Sequence, residues 1–363
     1  MAYSTITKPT DYFNTKLYTG NNSTNAITGV GHQPDMVWIK RRNNTADHQV
    51  YDSVRGVQKG IFTSTNGAEA TEGGTRGLNA FNSDGFTLGA EVSDIAGSCN
   101  ANSDTYVSWN WKAGTTGSGT TTGSGTGKAY SYSVNTTAGF SIVTYLGNGT
   151  PGHTIPHHLG NTPSCIIVKN RDTGNYQWSV YHKDSFVSQS DPGVLYLNTT
   201  AGKASDTNVW GNSSVTINST VFSVGDYIGT NTNSQNHIAY VFTEKTGYSK
   251  FGKYTGNGNA NGPFVYTGFK PAWVMIKISS GNTGGWDMYD AERANINSAD
   301  EKLQANANSS ETTADAIDIL SNGFKIRNTS GNQNGSGNTF VYMAFAKEPL
   351  VANVGQSIPA TAR

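Results

Sequence analysis

Chemistry in this chain would have to come from a few histidines, carboxylates and aromatic rings. His153, His157 and His158 stand close together around Pro156. Imidazoles so placed could ligate a transition metal. No carboxylate or cysteine stands at a supporting spacing, so the cluster reads as a loop or strand edge, with His157 and His158 as candidate surface contacts. Asp52 and Asp290 hold matching places in Gln49-Val50-Tyr51-Asp52 and Trp286-Asp287-Met288-Tyr289-Asp290, and His182 holds that place in Trp178-Ser179-Val180-Tyr181-His182. Glycoside hydrolysis needs two carboxylates roughly 5–10 Å apart, and each place supplies at most one. These aspartates read as structural, pairing with Lys40 and Lys277 on neighbouring strands or satisfying turns. The chain has neither a Gly-x-Ser-x-Gly elbow nor a phosphate-binding loop followed by Lys-Ser/Thr. Trp210 lies in the polar run Asn208-Val209-Trp210-Gly211-Asn212 and is the candidate exposed contact aromatic. The residues thus predict no catalytic group, no cofactor and no metal.

The elements that must position these residues are written three times. Lys16-Leu-Tyr18-Thr19-Gly20-Asn21 returns as Val143-Thr144-Tyr145-Leu146-Gly147-Asn148 and as Lys253-Tyr254-Thr255-Gly256-Asn257. Each opening leads to a proline and an apolar run ending in Lys40, Lys169 or Lys277. The lysines are 129 and 108 residues apart, far beyond the roughly 20–50 residues of solenoid repeats. A unit of roughly 100 residues can bury its own core. After each lysine come the aromatic-rich segment, then a turn and strand (Ser83-Asp84-Gly85-Phe86, Ser219-Thr220-Val221-Phe222, Ser321-Asn322-Gly323-Phe324), then an alternating strand ending at Trp111, Phe242 or Phe345. Trp111 and its two counterparts read as core, as do Trp38, Trp109, Trp178, Trp273 and Trp286 in predicted strands.

Alternation in residues 106–111 and 340–345, with frequent Asn-Gly and Asp-Gly pairs, predicts an almost all-β chain. Short helices are expected only at 291–295 and 311–317. The predicted fold is three tandem antiparallel β-sandwich repeats of jelly-roll or lectin-like topology over 12–113, 130–246 and 247–347. A β-barrel or a trimeric β-prism is the competing architecture. Residues 1–11 form an N-terminal segment. Residues 114–129 form a Gly/Ser/Thr linker that lets the first repeat move independently, while the second and third pack together. Residues 348–363 form an extended arm.

Net charge is zero, from 25 Lys+Arg against 25 Asp+Glu, and only 14% of residues are charged. Such a surface is not drawn to nucleic acid by counterion release or to an anionic membrane. It suits carbohydrate contact or packing in an assembly. Cys99 and Cys165 match no ligand spacing and predict no disulfide, Cys99 lying in a polar loop and Cys165 in core. With no apolar leader at residues 1–9 and no membrane-length apolar run, synthesis in a host cytoplasm is expected.

The repeated phrases resemble a repeat domain of uncharacterised function found in structural proteins of tailed, mainly marine, bacteriophages. Gly31-His32-Gln33-Pro34-Asp35-Met36-Val37-Trp38-Ile39-Lys40, Phe81-Asn82-Ser83-Asp84-Gly85-Phe86-Thr87-Leu88-Gly89 and Gly247-Tyr248-Ser249-Lys250-Phe251-Gly252-Lys253-Tyr254 carry the resemblance, which covers residues 12–347. It implies a virion protein without catalytic residues. A tail fibre or host-adhesion component leads, with a capsid decoration protein and a glycan-binding or glycan-degrading tailspike-like protein as alternatives. The implied partners are other virion proteins, further copies of the chain in a trimer or larger assembly, and a bacterial surface glycan or receptor.

Overall fold

The structure is a computed structural model that describes residues 4–74, 76–91, 99–212, 214–294 and 296–349. Strands dominate it, and every pairing of named strands is antiparallel. Each sequence copy forms a large sheet with the same strand order. In the first, Phe13–Thr19 pairs with Thr105–Trp111, then come Met36–Arg41, Gln49–Asp52 and Lys59–Phe62. The second runs Phe140–Leu146, Asn236–Phe242, Cys165–Asn170, Ser179–His182, Leu195–Tyr196. In the third the order is Ser249–Thr255, Thr339–Pro349, Phe269–Ser280, Trp286–Asp290, Ala299–Gln304. The opening phrase of a copy therefore lies beside its closing strand, which lies beside the strand carrying the buried lysine.

A smaller layer covers one face of each large sheet, giving a sandwich-like arrangement. It pairs Asn25–Thr28 with Gly85–Leu88, His153–Pro156 with Val221–Val224, and Phe264–Tyr266 with Gly323–Ile326. In the first two copies the layers are separate sheets, whereas in the third Ala299–Gln304 and Thr312–Leu320 join them into one eight-stranded sheet. Alternation sends one set of side chains into each sandwich. Val37, Ile39 and Tyr51 meet Phe86 and Leu88; Ile166 and Val168 meet Phe222 and Val224; Val274 and Ile276 meet Phe324 and Ile326.

The opposite set meets at a core common to all three copies. Trp38, Trp109 and Trp111 pack with Ile167, Trp178, Tyr240 and Phe242 and with Trp273, Met275 and Phe345 in one buried cluster. Trp111 stands edge-on to both Trp273 and Phe345, with centroids 5.7 and 5.6 Å apart. A buried ring of this size removes roughly 150–250 Å² from water, about 5 kcal/mol of gross transfer energy. The central void there is about 10 Å³, room for one water at most, and it is walled by apolar atoms.

Several expectations change. The first copy is bound into the common core with the other two, so it is not free to move alone. The segment 114–129 carries strands Thr115–Thr120 and Thr122–Gly123, and Gly117 and Gly119 lie opposite Tyr132 and Tyr130, whose rings occupy the space a Cβ would need. The described residues at 291–294 make a turn and Thr312–Leu320 is a strand; among the described residues the helical turns are the 3-10 turn Pro9–Asp11 and the α-helical turns Thr207–Trp210, Ile228–Asn231 and Gly331–Asn334. Residue 295, and the arm from residue 350 onward, lie outside the described residues.

Candidate functional site: the seams between the copies

The repeated phrase Tyr-x-Gly-Asn is a lock inside each copy. Tyr18, Tyr145 and Tyr254 donate to the carbonyls of Cys99, Thr230 and Gln333 at 2.7, 2.7 and 2.6 Å. The next residues, Asn100, Asn231 and Asn334, are fully buried and accept from the N–H of Asn21, Asn148 and Asn257 at 3.1, 2.9 and 2.9 Å. Glycine is required between Tyr and Asn, because a Cβ on Gly20, Gly147 or Gly256 would lie 2.1–2.4 Å from a backbone oxygen.

The repeated lysine works between copies. Lys40, Lys169 and Lys277 are fully buried, and burial pushes each amine down to about 8. Their contacts are carbonyls, not the aspartates that the sequence suggested. Lys40 donates to Arg41 O and to Asn308 O of the third copy at 2.7 and 3.3 Å. Lys169 donates to Tyr176 O and to Asn66 O of the first copy at 2.9 and 3.1 Å. Lys277 donates to Gly284 O and to Thr200 O of the second copy, the latter at 3.0 Å. Trp178 and Trp286 add indole N–H bonds, each 2.9 Å, to Phe62 O of the first copy and Tyr196 O of the second. Each copy thus grips a different neighbour, and three such grips close a ring.

Asp52 and Asp290 sit in the same seams. Asp52 Oδ1 accepts from Val54 and Arg55 N–H, while Oδ2 takes Arg55 Nε at 2.5 Å and the Tyr240 hydroxyl of the second copy at 2.7 Å. Arg55 reaches Glu69 at 3.0 Å, and Glu69 takes Arg171 of the second copy at 2.8 Å. The third copy repeats the chain against the first. Asp290 Oδ2 takes Arg293 Nε at 2.6 Å and Trp109 Nε1 at 3.0 Å; Arg293 reaches Glu311 at 2.9 Å, which takes Arg42 at 2.8 Å. Asp52, Arg55, Asp290 and Arg293 side chains are wholly buried. Both oxygens of each aspartate already accept two donors, so neither can serve as a general base.

The seam from the second copy to the third keeps the geometry without the buried Asp-Arg-Glu-Arg chain; ion pairs between these two copies include the half-buried Lys250–Glu244 at 2.6 Å. His182 replaces the aspartate, Ser185 the arginine, Lys203 the glutamate and Ser279 the second arginine. The backbone bond persists: Lys203 N–H to Ser279 O at 2.8 Å matches Glu69 to Arg171 at 2.8 Å and Glu311 to Arg42 at 2.7 Å. Met343 occupies the place of Tyr240 and Trp109 and offers no donor, so His182 Nε2 bonds the neighbouring carbonyl of Tyr342 at 3.1 Å. Burial lowers this imidazole to about 4, so it is neutral near pH 7. Sequence reasoning missed Arg55, Arg293, Glu69 and Glu311; the signal was an Asp-x-x-Arg spacing shared by the first and third copies and lost from the second.

The predicted contact residues do not assemble into a site. Trp210 is buried at 0% exposure, contrary to expectation. Asp206 caps a one-turn helix by accepting from Asn208 N–H, which turns Trp210 inward against Tyr181, 6.1 Å between centroids. His157 is likewise buried, its Nε2 on Asn218 O at 3.0 Å and its Nδ1 accepting from Leu159 N–H at 3.2 Å. His153 is buried between Asn231 and Thr121. His158 remains half-exposed, stacked on Tyr132 at 3.8 Å. The three imidazoles have separate protein partners, and among the described residues no His/Cys/Asp/Glu group could hold a metal ion. Cys99 and Cys165 are free and buried.

Residues 8–349 match the family model described as a domain of unknown function, DUF7483. The chain belongs to that family. Its model spans all three sequence copies as one unit, in keeping with seams that tie each copy to both others. No curated protein and no solved structure matches the chain.

Proposed function

We propose that this chain is a non-catalytic structural protein of a tailed-bacteriophage particle, serving in a tail fibre or host-adhesion component. The resemblance of the repeated phrases supplies the setting. The observation that carries the non-catalytic reading is the use made of Asp52, Asp290 and His182: each is buried and spent on holding one copy to the next. The three copies act as jelly-roll-like sandwiches closed into a single rigid body. That body takes the place of a homotrimer, and further self-association would join whole bodies. Outer loops then meet a bacterial surface glycan or receptor, and repetition on the particle raises weak contacts to useful avidity.

Gold-labelled antibody against the chain, applied to purified particles, tests the reading. Label on the tail fibres is the expected result, and absence of the chain from the particle overturns it. Dense label over the head would convert the assignment to capsid decoration. Shortening of host polysaccharide by the purified protein would overturn the non-catalytic part.

A further inference from the structure

The small layer of each copy ends in a comparable strand, and the three differ in what lies on the far edge. Ile27, Ile155 and Val265 stand opposite Phe86, Phe222 and Phe324, so the three strands share one register. In the second copy Thr122–Gly123 lies antiparallel on the edge, Thr122 opposite Thr154 and Gly123 opposite His153. Among the described residues no strand covers the other two edges. The first presents Ala26 and Thr28 at these positions, small side chains that give a partner little to grip. The third presents Phe264 and Tyr266, 46% and 57% exposed, with buried Val265 between them fixing both rings on the outward face. The bonds flanking that strand, Ile326 N–H to Pro263 O and Thr267 N–H to Asn322 O, leave the N–H and C=O of Phe264 and Tyr266 pointing to the open side. An unpaired edge carrying aromatic side chains is a pairing template.

We infer that Phe264–Tyr266 is a self-association site, where two copies of the chain pair edge to edge, antiparallel about Val265, so that Phe264 of each lies opposite Tyr266 of the other. The molecule itself argues for this occupant. The equivalent edge in the second copy already accepts an antiparallel strand of this chain. A strand centred on Val265 is self-complementary under a twofold axis, and cross-strand aromatic pairs are stabilising. Zero net charge sets no long-range repulsion between copies. The inference stands apart from the phage assignment, since it concerns only how the chain meets itself.

Sedimentation velocity of the full chain over a concentration series tests it, alongside the double variant Phe264→Thr, Tyr266→Thr, which gives this edge side chains like Thr154 and Thr28. The wild type is expected to form a dimer as concentration rises, and the variant to stay monomeric with an unchanged unfolding midpoint. Tyr266→Lys should act likewise, because a lysine blunts an edge. Hydrogen exchange should slow at residues 264 and 266 with rising wild-type concentration. A wild type that stays monomeric at the highest attainable concentration overturns the inference. So does a dimer that survives both substitutions, or one whose new protection falls on another strand.

Discussion

Two of the three seams carry a buried Asp-Arg-Glu-Arg chain and one does not, though all three share a backbone geometry. In those two, Asp52 and Asp290 each meet a donor from the next copy, Tyr240 or Trp109. In the second-to-third seam Met343 stands in that donor's place, and the aspartate, arginine and glutamate are all gone together. A buried carboxylate survives only while every lone pair is met, so once a thioether takes the donor's place the rest of the buried charged chain has no reason to stay. What holds the copies in all three seams is the apolar core and the lysine grip; the ionic chains are an addition whose parts stand or fall as a set.

The largest effect should come from breaking one ionic chain. Asp52→Ala leaves Arg55 buried without its carboxylate, which should cost about 3–5 kcal/mol in denaturant unfolding, and Asp290→Ala should match it through Arg293. A cost below that of an ordinary surface substitution would show that the seams with a buried ionic chain are not tighter than the one without it. Trp210→Ala, inside the second copy and away from any seam, should cost about 3–5 kcal/mol while leaving the seams intact, seen as unchanged exchange protection at Lys277 and His182.

Acid should weaken the second-to-third seam through His182, though not that seam alone, since burial also holds His48, between the first and third copies, well below the usual imidazole range. His182 is held near 4 in the fold against about 6.5 unfolded, so between these values the unfolded state binds the extra proton. Its contribution is complete above pH 6.5 and is lost as pH falls toward 4, at about 1.4 kcal/mol per pH unit. His32, His157 and His237 are also lowered to about 4, mainly by burial, and add to the slope. Replacing His182 by Gln should remove one proton from the measured dependence; no change in slope would remove this seam from the account. The smallest effect should come from rebuilding charge: Lys203→Glu with Ser279→Arg should change stability by no more than about 1 kcal/mol, because the new pair replaces the Lys203–Asp191 pair of 2.5 Å that it breaks.

Much of the fold is legible in the sequence because its causes are local. The strands follow from alternation, and the core role of Trp111, Phe242 and Phe345 follows from their recurrence; they are 1–2% exposed. Trp210 stands among polar residues that suggest exposure, yet Asp206 and Gly211 cap a helical turn that carries it inward. His157 also departs from its expected surface place, and here the cause is not local, since its partner is a carbonyl 61 residues away. Asp52 and Asp290 satisfy turns, as one of the two sequence readings has it, and do not pair with Lys40 and Lys277; the partners that carry them across the seams lie 188 and 181 residues off, and no spacing rule reaches so far.

By itself, the sequence determined three equivalent β-rich units, the apolar side chains each must bury, and the Tyr-x-Gly-Asn lock that every unit repeats. Those features depend on periodicity and on contacts that each copy makes with itself. Only the tertiary structure decided that the copies close on one another, that the lysines bind carbonyls across the seams, and that one seam does without a buried ionic chain. Such contacts arise where separate backbones converge, and the free energy of a buried charge depends on which groups that convergence places beside it.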